Sequence, residues 1–345
     1  MRLQLLLLSA LLACAAALAA ACGDDDAGGE AKVTVETLFG AQGNELVVYD
    51  VETNAPTVLI PATQNTVNGQ ICAVPDTDGH FLMGEDTEQE NGVRQGWGEF
   101  DAAGKLVAKY LEPISANEPD QIEPYGCVFD EEGRLFTSDI GDTNFDSTNG
   151  KLILFFPPDY ETSCTLASDI RVAGQLALDD DGGILVTESV PPGKVLRFSA
   201  PFPEHSDECA IKPTRETFIE DQEMGTPMGI ARAANGNWFV SSVYVPTTIR
   251  EYTTEGVFVR TIVQGTDVGN PAGIAVDSQG TLYYADLGIE VADGGIGPAS
   301  GKGTVRKVEF DAAGNPLAPV VIADGYDYPD AVAILEVEAD AATPD

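Results

Sequence analysis

Four carboxylates in this sequence close short apolar runs at matching places: Glu85 ends FLMGE, Asp139 ends LFTSD, Glu188 ends ILVTE and Asp286 ends LYYAD. Ser242 holds the corresponding place in WFVSS, while Glu123 of IEPYG and Asp330 of YPDA stand just ahead of other apolar runs. Carboxylate oxygens gathered in one place suit a hard cation such as calcium. Without a cation they repel one another, and some of their pKa values rise. The same acids have a simpler use, because an Asp at a strand end caps the next loop by accepting backbone N–H bonds. Repetition favours capping, since a metal site needs only one set.

Other chemistries find little material. The two histidines, His80 just after a turn and His205 in the loop PFPEHSDEC, make a Ser-His-Asp triad or a His-rich zinc site poorly supported. GGIGPASGKGT, residues 294–304, is glycine-rich but lacks the spacing of a phosphate loop.

Charge narrows the partners. The 345 residues hold 18 Lys plus Arg against 56 Asp plus Glu, a net charge of -38. Such a field repels a phosphate backbone and concentrates cations, so nucleic acid is excluded as an expected partner. With 43% hydrophobic residues, the chain has ample material for a large core.

The first 21 residues, one Arg followed by an apolar run from Leu3, read as a secretory signal peptide. The layout resembles a lipoprotein signal, in which the Cys at the cleavage point is acylated. Cys22 and Cys14 compete for that role. Processing at Cys22 leaves four cysteines able to pair in an oxidising compartment, whereas Cys14 leaves an odd number, so lipid attachment is assigned to Cys22. Residues 22–31 are an acidic, glycine-bearing tether. The expectation is an exported lipoprotein, periplasmic or on the cell surface, held to a membrane through its lipid.

The acids must be positioned by what lies around them, and that is a repeat. ICAVPDTDGHFLMGED, GCVFDEEGRLFTSD, GQLALDDDGGILVTES, MGIARAANGNWFVSS and AGIAVDSQGTLYYAD recur about every 50 residues, with turn glycines read at Gly79, Gly133, Gly183, Gly236 and Gly280. Each is two apolar runs about a glycine turn, an antiparallel hairpin, and each is followed by a second hairpin. FDAAG occurs unchanged at 100–104 and 310–314 as the turn of two such second hairpins.

Two hairpins make a four-stranded sheet, the size of one propeller blade. KVTVETLF and ELVVYDVETNAPTVLIP at one end, and AVAILEV from Ala331 at the other, complete a sixth sheet from both ends of the chain. Residues 32–345 are therefore expected to form one all-β domain, a six-bladed β-propeller of four-stranded antiparallel blades. In that architecture the loops IEPYG, TPMG, NPAG and YPDA and the strand-end acids emerge on one face. Glu123, Asp139, Glu188, Asp286 and Asp330 then line a funnel mouth as the candidate metal or ligand site.

Cys164 and Cys209 lie in long loop regions of successive outer hairpins, which predicts a disulfide between them. Cys72 and Cys127 occupy the same place in successive inner hairpins; a second disulfide and a pair of buried thiols both remain open.

The run from Pro271 to Asp286, PAGIAVDSQGTLYYAD, resembles NHL-repeat and regucalcin/gluconolactonase-type six-bladed propellers, over most of residues 40–340. That resemblance implies a metal at the mouth held by a Glu, an Asn and an Asp, the Asp doubling as general base. Glu123 matches the Glu and Asp286 the Asp. The family's PNG is replaced by Pro227-Met228-Gly229 and Pro271-Ala272-Gly273, so the Asn is missing and Asp330 is the substitute ligand.

Two functions follow. The first is a lipid-anchored binding module at the cell envelope, taking a protein or small-molecule ligand with the loops GEDTEQENGVRQG and ADLGIEVADGGIGPASGKG, with calcium as a possible cation. The second is a metal-dependent hydrolase of the lactonase type.

Overall fold

A computed structural model describes residues 32–42, 45–49, 55–61, 69–89, 92–111, 124–141, 148–244, 246–292 and 295–340. The signal segment, Cys14, Cys22, the tether and Glu123 lie outside them. The chain divides into two units, Thr34–Glu338 and the pair of segments Met1–Val33 and Ala339–Asp345. In the second unit the described residues, 32–33 and 339–340, are strand ends. Among the described residues no helix is long and apolar enough to cross a membrane.

The unit Thr34–Glu338 is a six-bladed propeller with almost no helix. Strands β1 (Lys32–Gln42), β2 (Glu45–Tyr49) and β3 (Pro56–Ile60) come from the N-terminal side, and the innermost strand of their sheet is β26 (Pro329–Asp340). This is the closing blade expected from AVAILEV. The first complete blade is β4 (Cys72–Ala73), β5 (Phe81–Gln89), β6 (Gly92–Phe100) and β7 (Leu106–Leu111). The second runs β8 (Pro124–Phe129), β9 (Leu135–Asp139), β10 (Gly150–Phe155) and β11 (Ser163–Ile170). The third is β12 (Ala173–Leu178), β13 (Ile184–Glu188), β14 (Gly193–Ser199) and β15 (Thr214–Asp221). The fourth is β16 (Pro227–Arg232), β17 (Trp238–Ser242), β18 (Thr248–Tyr252) and β19 (Phe258–Gln264). The fifth is β20 (Pro271–Val276), β21 (Leu282–Asp286), β24 (Gly303–Val308) and β25 (Val320–Tyr326), with an inserted hairpin of β22 (Ile289–Ala292) and β23 (Gly295–Pro298).

Second strands such as LFTSD and LYYAD are buried at every residue, because each sheet packs on both faces against neighbouring blades. Phe136, Leu152, Leu176, Ile184 and Leu196, from the second and third blades, share one apolar cluster. Burying side chains of this size is worth roughly 1.5–3 kcal/mol each, which is what holds blade to blade.

The Asp-x-x-Gly turns have a common construction. Asp130 Oδ1 accepts the N–H groups of Glu132 and Arg134 at 3.1 and 2.8 Å, and Asp277 Oδ1 those of Gln279 and Thr281 at 3.0 and 2.7 Å. A left-handed residue completes each turn, Gly133 at φ 75° and Gly280 at φ 83°. In the third blade the left-handed residue is Gly182, not Gly183 as the repeat alignment predicts. Asp179 sets that frame by accepting the Gly183 N–H at 2.7 Å.

The expected Cys164–Cys209 disulfide is present with a Cα–Cα separation of 5.2 Å, and the Cys72–Cys127 pair left open by the sequence is bonded as well, at 6.1 Å. The second bond corrects the reading of equivalent places. Ala73 pairs with Phe81 at the head of its hairpin and Phe129 with Leu135, so Cys72 corresponds to Val128 and sits one residue out of phase with Cys127. Successive side chains in a strand point to opposite faces, so this one-residue stagger turns the two sulfurs toward each other. Equivalent positions would have pointed the same way around the ring.

Candidate functional site at the strand-start face

The strand-end acids do lie where the topology puts them. Asp139 is paired with Pro124 at the start of β8, Glu188 with Ala173 at the start of β12, and Asp286 with Pro271 at the start of β20. They are not, however, open ligands. Asp139 is fully buried, its Oδ2 3.0 Å from Lys151 Nζ and its Oδ1 accepting the Gly141 N–H at 3.0 Å.

Asp286 is still more engaged. Its Oδ1 accepts the N–H groups of Asn270 at 2.7 Å and Gly288 at 3.1 Å, and its Oδ2 receives the Thr304 hydroxyl at 3.0 Å and lies 2.9 Å from Arg306. Gly269, at φ 74°, must lack a side chain, because a Cβ there would overlap that carboxylate. Glu188 is buried with Arg215 at 3.8 Å. Ser242 does the same closing work with a hydroxyl, accepting the Thr226 N–H at 3.0 Å. Asp139, Asp286 and Ser242 thus perform the capping role.

Asp139 and Asp286 are engaged by partners of their own blades, and of the expected set Glu123 lies outside the described residues. Among the described residues no three His, Cys, Asp or Glu side chains come together as a metal-holding group. Asp139 and Asp286 do not fit as calcium ligands, since each already faces a cation from the neighbouring strand of its own sheet. The general-base role that the resemblance implies for Asp286 meets the same obstacle, because both of its oxygens are occupied twice over. The side chain of Glu85 and all of Glu123 lie outside what the structure describes.

What closes the floor of this face was missed by the sequence reading. Successive inner strands meet at a level defined by Gly126, Gly229 and Gly273, where a Cβ would lie 2.7, 2.4 and 2.6 Å from the Gly174, Ala272 and Asp330 carbonyl oxygens of the next blade. Hydroxyls one residue before the strand-end position latch these crossings: Ser138 donates to the Gly174 carbonyl at 2.6 Å, Thr187 to Met228 at 2.8 Å, and Ser241 to Ala272.

Two glutamines belong to this level, and one of them, Gln175, fills the space beside Gly229 and Gly273. Gln70 accepts the N–H groups of Cys127 at 3.1 Å and Leu176 at 2.9 Å and donates to the Leu176 carbonyl at 2.9 Å, tying three blades together. Gln175 is 1% exposed and spans to the far side, where a Cβ on Gly229 would lie 3.0 Å from its Oε1 and one on Gly273 2.6 Å from its Nε2. Neither amide atom of Gln175 has a hydrogen-bond partner among the described residues. Near this floor stand buried Tyr125 and Asp330. Burial first, then the Asp330 carboxylate and the Tyr328 phenol, hold the Tyr125 phenol well above the ordinary tyrosine range. Beneath the glutamines is a chamber of about 600 Å³, walled by Ile71, Leu176, Ile230, Ile274 and Val332.

Two β-ribbons extend the same face. β5 and β6 stay paired out to Gln89 and Gly92, past the ends of the strands flanking them, and β22 and β23 pair from Ile289–Pro298 to Ala292–Gly295. Both segments were expected as loops. They leave the ends of second strands in the first and fifth blades, the two blades that flank the closing blade.

Comparison with solved structures agrees on the architecture. A luciferin-regenerating enzyme superposes with a TM-score of 0.58 at 14% identity, covering 84% of this chain and 88% of the other. Virginiamycin B lyase from Staphylococcus aureus gives 0.51 at 12% identity over 84% and 88%. Regucalcin from Agrobacterium tumefaciens, described as a calcium-binding protein, gives 0.50 at 14% identity over 70% and 75%. At such identities the shared property is the fold, and the regucalcin-type resemblance read from Pro271–Asp286 holds at that level. No protein-family profile and no curated protein matches the sequence.

Proposed function

We propose that this is an exported, lipid-anchored binding propeller that takes a small polar ligand at its strand-start face. The observation that carries the reading is Gln175, a carboxamide buried in the floor with neither polar atom engaged among the described residues. Leaving such a group unsatisfied costs about 1–3 kcal/mol. A ligand presenting a donor and an acceptor side by side recovers that cost, and Tyr125 and Asp330 stand nearby to orient it. Binding needs only this complementarity. Catalysis needs a free base or an open metal position, and Asp139 and Asp286 are both committed to cations and backbone N–H groups.

The competing reading is a metal-dependent lactonase. It draws on the regucalcin neighbour's description as calcium-binding and on Glu123, the ligand that the described residues leave unplaced. Thermal-shift screening of small amides and carboxylic acids, run beside a lactone-hydrolysis panel with added calcium, separates the two. The binding reading expects saturable stabilisation that Gln175→Met abolishes, and no turnover. Metal-dependent turnover, or a ligand response indifferent to Gln175, would reject it.

Anchoring through Cys22 is part of the proposal, supported by the apolar leader and by the two disulfides, which use the four remaining cysteines. A mass spectrum of the membrane-extracted protein tests it; an unmodified N-terminus refutes the anchor.

A further inference from the structure

Ala73, Phe129, Leu178, Arg232 and Val276 head the five complete inner hairpins, each paired with the first residue of its second strand. Four places before each of them, at one level of the strand-start face, stand Gly69, Tyr125, Gly174, Met228 and Ala272. The next residues, Gln70, Gly126, Gln175, Gly229 and Gly273, form the level beneath. Close approaches agree with this register. A Cβ on Gly69 would lie 2.9 Å from the Tyr125 carbonyl oxygen, and one on Gly174 2.9 Å from that of Met228. Of the five upper positions only Tyr125 and Met228 carry large side chains, and they flank Gln175 from the blades on either side of it.

Both sit in apolar surroundings. Tyr125 packs with Ile140, Val172 and Val190, and a second cluster joins Val243, Ala272 and Leu287. Ile140, Val190, Val243 and Leu287 all follow the ends of second strands, so both clusters belong to the strand-start face. Met228 packs against both and is partly exposed, whereas Gln175 is 1% exposed. The Met228 side chain therefore bridges the two clusters, and its unbranched thioether adapts to whatever lies beside it. The Tyr125 hydroxyl is buried and, like the Gln175 amide, has no hydrogen-bond partner among the described residues.

We propose that the ligand of this face is a primary carboxamide with an apolar body, seated where the Met228 side chain bridges the two clusters. This rests on the reading that Gln175 holds the ligand, and it adds what the ligand's other end is. A primary carboxamide carries a carbonyl and an amino group side by side, the complement of Gln175 Oε1 and Nε2, with capacity left for the Tyr125 hydroxyl. A wholly polar ligand would give up its water against these clusters without return. An apolar body gains by the same burial.

Isothermal titration of the full chain with acetamide, butanamide and hexanamide tests this. Affinity is expected to rise about fourfold per methylene along the series, and Gln175→Met to abolish binding of all three. Met228→Ala clears the seat, so it is expected to tighten hexanamide at least about fourfold and leave acetamide unchanged. Circular dichroism melts check that both variants fold, and the length series on the parent chain stands without them. Equal affinity for the three amides, each lost in Gln175→Met, overturns the apolar seat and leaves the binding reading intact. Hexanamide binding that survives Gln175→Met, or that Met228→Ala does not move, also overturns it. No binding of any amide overturns both.

Discussion

Asp286 and Arg306, 20 residues apart on adjacent strands, face each other at 2.9 Å with side chains only 3% and 15% exposed, and the pair closes the top of the fifth blade. Removing one member strands the other charge in the interior, a loss of about 3–5 kcal/mol. Asp286→Ala also orphans the N–H groups of Asn270 and Gly288. Urea denaturation is expected to show a loss of about 3 kcal/mol or more for Asp286→Ala, and a smaller loss for Asp286→Asn, which keeps an acceptor for the backbone. A variant as stable as the parent would return Asp286 to the list of free carboxylates.

Calcium should then act on this protein as a diffuse counterion. With Asp139 and Asp286 already neutralised by Lys151 and Arg306, millimolar calcium is expected to raise the melting temperature no more than sodium chloride at matched ionic strength. Binding to one folded-state site would instead add about 2.7 kcal/mol at a hundredfold excess over its dissociation constant. A calcium-specific rise would revive the metal site, with Glu123 as its first suspect ligand.

The architecture was legible because its signal is repeated. A hairpin written five times, plus complementary fragments at the two ends, defines six sheets even where single strands are short, as β4 is. The partners of the acids were less legible, because Lys151 and Arg306 sit on third strands, beyond loops whose length hides the register. KLILFF and TVRKVEF do carry the signal: Lys151 lies directly opposite Asp139, and Arg306 lies two residues beyond Thr304, the partner of Asp286. Gln70 and Gln175 were missed because the reading followed what recurs. Gly-Gln-Ile and Gly-Gln-Leu break the Gly-Ile pattern of the fourth and fifth units, and that break is where the channel floor is built.

The two disulfides link the first blade to the second and the second to the third. They close loops separated by 55 and 45 residues, for which chain entropy gives about 4 kcal/mol each. Cys164→Ala with Cys209→Ala is expected to lower the melting temperature without changing the blade count. Both Cys72 and Cys127 belong to the apolar cluster around Trp97 and Ile153, whereas of the other pair only Cys164 is fully buried in its cluster, so Cys72→Ala with Cys127→Ala is expected to cost more. Paired thermal melts decide the order, and equal losses would show that packing around the inner bond is immaterial.

Acid sensitivity should enter through Glu251, which is 1% exposed on the third strand of the fourth blade. Burial alone would raise its carboxyl, but hydrogen bonds from Asn235 at 2.8 Å, Asn237 at 2.6 Å and Arg260 at 2.6 Å outweigh that and hold it below the ordinary 4.5. A carboxyl depressed in the folded state contributes stability that is complete above its unfolded value and is lost as pH falls through the folded one. The loss therefore begins near pH 4.5 and deepens below it. Because Asn235 and Asn237 belong to the turn of the inner hairpin and Arg260 to the outer strand, protonation loosens three strands of the blade together. Glu251→Gln keeps the shape, leaves Arg260 without its charge partner and removes this proton-linked step. Its stability is expected to be lower than the parent's at neutral pH and to converge on it as the acid range is entered. Denaturation midpoints measured from pH 7 down through that range test the sign, and parallel curves would assign the acid lability to other carboxylates.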